Sequence, residues 1–242
     1  MATPRTARVA DVRLASATAR VLALVCAEPL GFIGGQYIII DSGRVLPSGK
    51  AAKRAYSILS SDADQRRFEI AVKRIPDGPV SGYLHDAEPG AEIVFSGPWG
   101  KLVPPDDATG ATVIVATDTG ITAALGLVQA ERFAALRSTT TLIWLSSGDE
   151  FLPDAEVRAR IPAGLGDLEL GALPAIGHPE RVPHARAVLA RTLARRPAAR
   201  VLCTGDGQIN YALLDDFVAA GIPGTRDSVE SFFHMPKKSG PS

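Results

Sequence analysis

Arg54, Tyr56 and Ser57 fall within the stretch KRAYSILSS, residues 53–61, between a Gly-rich run and a second β-like segment. In an extended strand Arg54 and Tyr56 share one face while Ser57 turns to the other. A planar cation beside an aromatic ring suits a ligand that is flat and charged. The same pattern also fits an ordinary half-exposed edge strand. A second group, DGPVSGYL at 77–84, offers consecutive backbone N–H groups at the start of a short helix, where an anion is stabilised. Read as a plain turn, it needs only Ser81 as the helix cap. A third, VIVATDTGITAALG at 113–126, reads as strand, tight turn and helix N-terminus, a setting for a dinucleotide phosphate. His85, His178, His184 and His234 are scattered, and Cys26 and Cys203 are the two cysteines of the chain. Neither a four-thiolate cluster nor a zinc site is expected, so no metal is assigned.

These groups need elements to hold them, and two halves with different periods supply them. From about residue 7 to 103, RVLALVCA, GQYIIID, RAYSILS, RFEIAVKRI and AEIVFSG are short, rich in β-branched or aromatic residues and often alternating. Turn clusters such as GFIGG, SGRVLPSGK and SDADQ separate them. That spacing points to a β-sandwich or barrel. After VPPDDATGA the strands become continuous apolar runs, TVIVATDTG, TTLIWLSSG and ARVLCTGDG, with LELGALPAI between and DSVESFF at the end. ITAALGLVQAERFAALR, PHARAVLARTLARR and INYALLDDFVAAGI alternate with them as helices. The expected fold is a two-domain β plus α/β chain. Residues 1–105 form an antiparallel β-barrel and 106–242 a doubly wound parallel sheet, ending in a polar tail expected to be mobile.

The charge balance, 26 basic against 26 acidic residues, gives no field that would draw nucleic acid or an anionic membrane. No apolar run approaches the ~20 residues of a membrane span, and MATPRTARVADVR lacks the apolar region of a secretory signal. A cytoplasmic protein with two reduced thiols is the expectation.

The ordered motifs together resemble the ferredoxin–NADP reductase superfamily. RAYSI at 54–58 is similar to its Arg-x-Tyr-Ser strand, GQYI at 35–38 to the strand before it, and AVKR at 71–74 to the strand after it. GPVSGYL at 78–84, GPWG at 97–100, ATDTGIT at 116–122, CTGDG at 203–207 and VESFF at 229–233 follow in the family's order. The resemblance implies that the barrel binds FAD and the α/β domain a nicotinamide dinucleotide. Arg54 would pair with the flavin pyrophosphate and Tyr56 would stack on the ring. Ala55 lies between them, and Ser57 would sit near the reactive nitrogen. Ala71, Val72 and Lys73 would run along the flavin, and Gly78, Val80 and Ser81 would meet the phosphates. Thr117, Thr119 and Gly120 would serve the dinucleotide. Thr204, Gly205 and Asp206 would lie near the nicotinamide, Thr204 standing where the family has cysteine. Glu230 and Phe233 would approach the flavin, which makes Ser57 and Glu230 the residues expected beside the chemistry.

Two departures stand out. Asp118 occupies a position that is glycine in the family, where a carboxylate repels a pyrophosphate unless it turns away to cap the helix, and Ala123 replaces a proline. The charges nearest the second α/β strand, Asp149 and Glu150, favour NADH over NADPH, with Arg181 as a cation that could favour the opposite. The implied activity is an FAD-dependent reductase that takes hydride from NAD(P)H and passes electrons singly to a separate protein: ferredoxin, flavodoxin or an oxygenase component. Arg186, Arg191, Arg195 and Arg196 on one helix could meet an acidic acceptor or form a solvated face. A free-flavin or quinone reductase and a non-catalytic FAD subunit are the alternatives.

Overall fold

The computed structural model describes residues 3–103, 109–148 and 151–234. Two compact units emerge: one comprises Met1–Pro104, Leu125–Ala135 and Asp149–Ala163, the other Pro105–Ala124, Leu136–Gly148 and Gly164–Ser242.

In the first unit the described residues form a six-stranded antiparallel sheet. Its strands are β1 (Arg5–Leu14), β2 (Ala19–Val25), β3 (Tyr37–Val45), β4 (Ala51–Ser57), β5 (Arg67–Lys73) and β6 (Glu92–Trp99), in the order β4-β3-β6-β1-β2-β5. The two outer strands meet through an antiparallel bridge between Ile58 and Ile70, so the sheet curls into a barrel. Alternation decides what lies inside: Leu22 and Leu24, Ile38 and Ile40, Phe68 and Ile70, and Ile93 and Phe95 are successive same-face pairs in one core. Phe68 meets Phe95 edge-on with ring centroids 6.0 Å apart. Helix α1 (Pro79–His85) sends Val80 and Leu84 into that core and packs against β3, β4 and β5.

The second unit is a five-stranded parallel sheet in the described residues. Its strands are β7 (Thr112–Thr117), β8 (Thr140–Ser146), β9 (Asp167–Ala172), β10 (Arg200–Asp206) and β11 (Val229–Phe233), in the order β11-β10-β7-β8-β9. β7 and β10 are therefore the neighbours at which chain direction across the sheet reverses, the switch point where open α/β sheets bind ligands. One face of the sheet, through Val113, Val115, Ile143, Leu145, Val201 and Cys203, packs on α4 (Arg181–Arg195) and α5 (Gly207–Ala219).

The helix expected over 121–137 is shorter than its periodicity suggests. Helix α2 spans Ile121–Gln129, and Glu131–Thr139 winds as 3-10 turns. Ser61 Oγ donates to the Gln129 carbonyl at 3.3 Å, Asp62 Oδ1 accepts the Glu131 N–H at 3.0 Å, and Phe133 N–H turns to Ala130 at 3.1 Å. Two polar residues that precede β5 thus end the helical ladder. The short helix α3 (Asp154–Ala159) was not expected from the sequence. Its Glu156 pairs with Arg13 of β1 and with Arg160, which reaches Glu69 of β5 at 2.7 Å.

Candidate functional site

β4 is an edge strand of the barrel sheet, and its pairing with β3 sets the display of the first cluster. Tyr56 lies opposite Ile38, Arg54 opposite Ile40 and Ser57 opposite Tyr37. Arg54 and Ala55 are exposed, Tyr56 is half-buried against the barrel core, and Ser57 is buried. Burial pushes the Tyr56 hydroxyl up to about 12, against a small opposing pull from Arg54. The phenol therefore stays neutral throughout the working range, an apolar plate beside a cation. Arg54 makes no hydrogen bond or ion pair among the described residues, whereas neighbouring Lys53 is paired with Asp41 at 3.0 Å.

The helix start next to this strand is built differently from the simple turn. Gly78 is the N-cap of α1, with Pro79 following, and no side chain caps the end. The reading in which Ser81 caps the helix is corrected: Ser81 lies inside the first turn. Its Oγ accepts from Ile75 N–H at 3.2 Å and donates to the Gly78 carbonyl at 3.2 Å. A Cβ at Gly78 would stand 2.5 Å from that Oγ. The first-turn N–H groups of Val80 and Ser81 precede any intrahelical acceptor. Val80 itself is buried in the core and contributes to the site through its backbone.

On β5, Ala71 and Val72 are buried and Lys73 is half-buried. The Val72 side chain belongs to the core, and its carbonyl accepts from Nε2 of His85 at 3.0 Å. His85 is a residue that sequence reasoning passed over as one of four scattered histidines. It fastens the end of α1 to the strand expected to run along the ligand. Burial lowers its basicity, the Val72 contact opposes this, and Arg20 and Arg74 add to the lowering. Arg44, also unforeseen, donates to the Pro79 carbonyl at 3.3 Å.

In the second unit the residues expected to serve a dinucleotide gather at the β7–β10 switch point. Thr117 and Thr204 are fully buried and their hydroxyls are committed to the protein. Thr117 Oγ1 donates to the Thr204 carbonyl at 3.3 Å and accepts from Asp206 N–H at 2.8 Å, and Thr204 Oγ1 donates to the Gly120 carbonyl at 2.9 Å. Gly120 and Gly205 are glycines because the two chains nearly touch. A Cβ on Gly120 would fall 2.4 Å from the Thr204 carbonyl oxygen, and one on Gly205, at φ 114°, 2.2 Å from that of Thr117. Thr119 is half-buried and its carbonyl accepts from Thr122 Oγ1 at 2.9 Å. Asp206 is the N-cap of α5, accepting from Gln208 N–H at 3.0 Å.

Asp118 does not cap the following helix. It adopts a left-handed φ of 47°, which explains why the position suits glycine. Its carboxylate reaches sideways to Ser147 N–H and Oγ, at 2.8 and 2.6 Å, and to the Arg181 guanidinium. Arg181 is not a cation awaiting a 2′-phosphate. It is 3% exposed and also pairs with Asp206 at 2.9 Å and the Pro174 carbonyl at 2.6 Å. Asp149, Glu150 and the residues after His234 lie outside the described residues.

Glu230 lies opposite Thr204 in the β10–β11 pair, and burial pushes its carboxyl up to about 8. Phe233 packs edge-on to His234, with ring centroids 5.1 Å apart. Three of the four α4 arginines are already paired within the unit: Arg186 with Asp216, Arg195 with Glu169 and Arg196 with Asp167. Arg191 alone of the four has no ion pair among the described residues, so the helix carries little free positive charge. No group of three metal-ligating side chains occurs among the described residues, and no helix there is long and apolar enough to cross a membrane.

Residues 8–103 match the oxidoreductase FAD-binding domain family. The chain is 33% identical over 165 residues to ferredoxin–NADP reductase B of Sorangium cellulosum, covering 67% of this chain and 65% of that protein. It is 36% identical over 126 residues to the reductase subunit of an aromatic O-demethylase of Amycolatopsis sp., covering 50% and 35%. The chain thus spans less than two thirds of the length of these relatives. The ferredoxin reductase in carbazole 1,9a-dioxygenase shares the fold at a TM-score of 0.73, 20% identity, and coverage of 96% of this chain and 68% of that one.

Proposed function

We propose that the chain is an FAD-dependent reductase of the ferredoxin–NADP reductase superfamily, one that draws electrons from a reduced nicotinamide dinucleotide and delivers them to a separate acceptor protein. The match of residues 8–103 to the FAD-binding domain family and the likeness to ferredoxin–NADP reductase B support this reading. The barrel, within residues 1–105, carries the flavin in this reading, and the α/β part, 106–242, receives the dinucleotide. The observation that supports it best is the cluster on β4 and α1. An unpaired exposed arginine, a neutral half-buried ring two residues on and an uncapped glycine-started helix turn adjoin one another in the first unit.

The residues of that unit fit FAD in kind. Arg54 supplies a fork of donors for a pyrophosphate, and Gly78 leaves space where any Cβ would collide with Ser81. Tyr56 offers a ring face that stays uncharged, with Ala55 and Ser57 as its strand neighbours. Ala71, Val72 and Lys73 supply the adjoining strand, Val72 through its backbone only. FAD, when bound, takes up electrons in pairs from a nicotinamide and releases them singly. The task of the protein is placement: Thr117, Gly120, Thr204 and Gly205 shape the dinucleotide turn, while Glu230 and Phe233 close the neighbouring strand. The relatives' names include a ferredoxin–NADP reductase and the reductase subunit of a glycine betaine monooxygenase, so a ferredoxin, a flavodoxin or an oxygenase component is the acceptor class.

The absorption spectrum of the purified protein tests this directly. A flavin band that co-purifies and bleaches on anaerobic addition of NADH or NADPH is expected. A colourless protein that reduces added flavin would instead be a free-flavin or quinone reductase. A flavin band that neither dinucleotide bleaches would leave a non-catalytic FAD subunit.

A further inference from the structure

Three strand ends converge on one buried cation in the second unit. Arg181 divides its guanidinium among Asp206 at the end of β10, Asp118 just after β7 and the Pro174 carbonyl beyond β9. Asp118 carries the bridge on to Ser147 after β8. Its own backbone is pinned as well, its carbonyl accepting from Trp144 Nε1 at 3.0 Å. Counting histidine as neutral, this cluster holds two carboxylates and one guanidinium, a net charge of −1. His234 Nδ1 stands 3.4 Å from the same Asp206 oxygen that meets Arg181.

The location matters because β7 and β10 flank the switch point of the sheet, where a nucleotide phosphate lies closest to the strand ends. Arg181 cannot swing out to meet such a phosphate without stranding Asp206, which is 1% exposed. Removing one partner of a buried pair leaves an uncompensated charge and costs several kcal/mol. The guanidinium is a structural counter-ion, and the excess carboxylate is Asp118.

We propose that Asp118 is a specificity-determining residue: it secures Arg181 inside the protein and leaves the phosphate turn one charge negative, so that the site selects NADH over NADPH. This rests on the reading of the second unit as the dinucleotide site. Both dinucleotides bring a pyrophosphate to the turn, but the 2′-phosphate of NADPH adds charge of the same sign as the excess. Selection arises from repulsion against the competitor, with the left-handed conformation at 118 tolerated by aspartate as it is by asparagine.

The test uses Asp118→Asn, which keeps a polar amide side chain able to bond Ser147 and suits the same φ while removing the charge. Asp118→Gly serves as a second variant that needs no side-chain partner. Binding of NAD⁺ and NADP⁺ is measured by titration calorimetry, alongside the NADH to NADPH ratio of flavin reduction and a thermal melt of each protein. In the variants the Kd for NADP⁺ is expected to fall by roughly tenfold, a change of about 1.4 kcal/mol, and that for NAD⁺ by clearly less. An unchanged ratio of the two affinities in both variants overturns the proposal while leaving the dinucleotide site intact. Binding of neither nucleotide by wild type or variant overturns the dinucleotide assignment and the proposal with it.

Discussion

His85 donates from Nε2 to the carbonyl oxygen of Val72 at 3.0 Å, tying the last turn of α1 to β5 inside the barrel. A carbonyl can only accept, so the bond fixes the tautomer with hydrogen on Nε2. The same helix begins at Gly78, and the same strand continues into Lys73. One buried imidazole therefore sets the spacing between two of the three segments assigned to the flavin. His85→Ala is expected to lower stability by about 1 kcal/mol, the net contribution of one buried hydrogen bond to a carbonyl that also faces Arg20 across the β2–β5 ladder, and to weaken FAD binding severalfold. His85→Gln, which restores a donor, should recover part of both. A melt shifted without any change in FAD affinity would reduce His85 to a packing role.

Gly205 and Thr117 mark the tightest approach at the switch point. With φ at 114° and a Thr117 carbonyl oxygen 2.2 Å from any added Cβ, Gly205→Ala must shift β10 away from β7 and hold an unfavourable backbone angle. A loss of roughly 2 kcal/mol or more in urea unfolding is expected. Gly148→Ala makes a suitable control, since nothing lies within 4 Å of a Cβ there. Equal stabilities for the two variants would show that the strands relax freely.

Much of this architecture was legible in the sequence, for reasons that differ between the halves. Period-two alternation announced the barrel strands, and uninterrupted apolar runs announced β7, β8 and β10, because a strand buried on both faces has no polar side to display. The cluster on β4 was legible through residue type and spacing alone. What escaped depended on partners distant in the chain. The helix after β7 ends where Ser61 and Asp62, some seventy residues earlier, take over its hydrogen bonds. Asp118 was visible as a departure, but its resolution lay in Arg181, 63 positions later. The hydroxyls of Thr117 and Thr204 read as ligand groups until the pairing of β7 with β10 turned them inward.

The two cysteines are expected to be chemically silent in the folded protein. Cys203 is wholly buried in the α/β core and Cys26 nearly so in the barrel. Burial pushes both thiols up, with Arg5 opposing slightly at Cys26, so little thiolate is available to react. A disulfide-exchange reagent such as DTNB should label neither cysteine natively and both in urea. Rapid labelling of one site in the native protein would place a thiol at the surface.

Glu230 should leave a signature in the pH dependence of stability. Its carboxyl is pushed by burial from 4.5 up to about 8. Between those values the folded chain holds a proton that the unfolded chain releases, so rising pH favours unfolding. The stability associated with this group is whole below about pH 4.5 and is lost as pH rises towards 8, by an amount on the order of a few kcal/mol. Glu230→Gln keeps the shape without the proton. Urea midpoints for wild type and variant at pH 5, 6.5 and 8.5 isolate the effect, because contributions such as the buried His85 are common to both. Wild type is expected to lose ground to the variant steadily across that range. Parallel curves would mean that Glu230 ionises freely and that the β11 strand leaves it in contact with water.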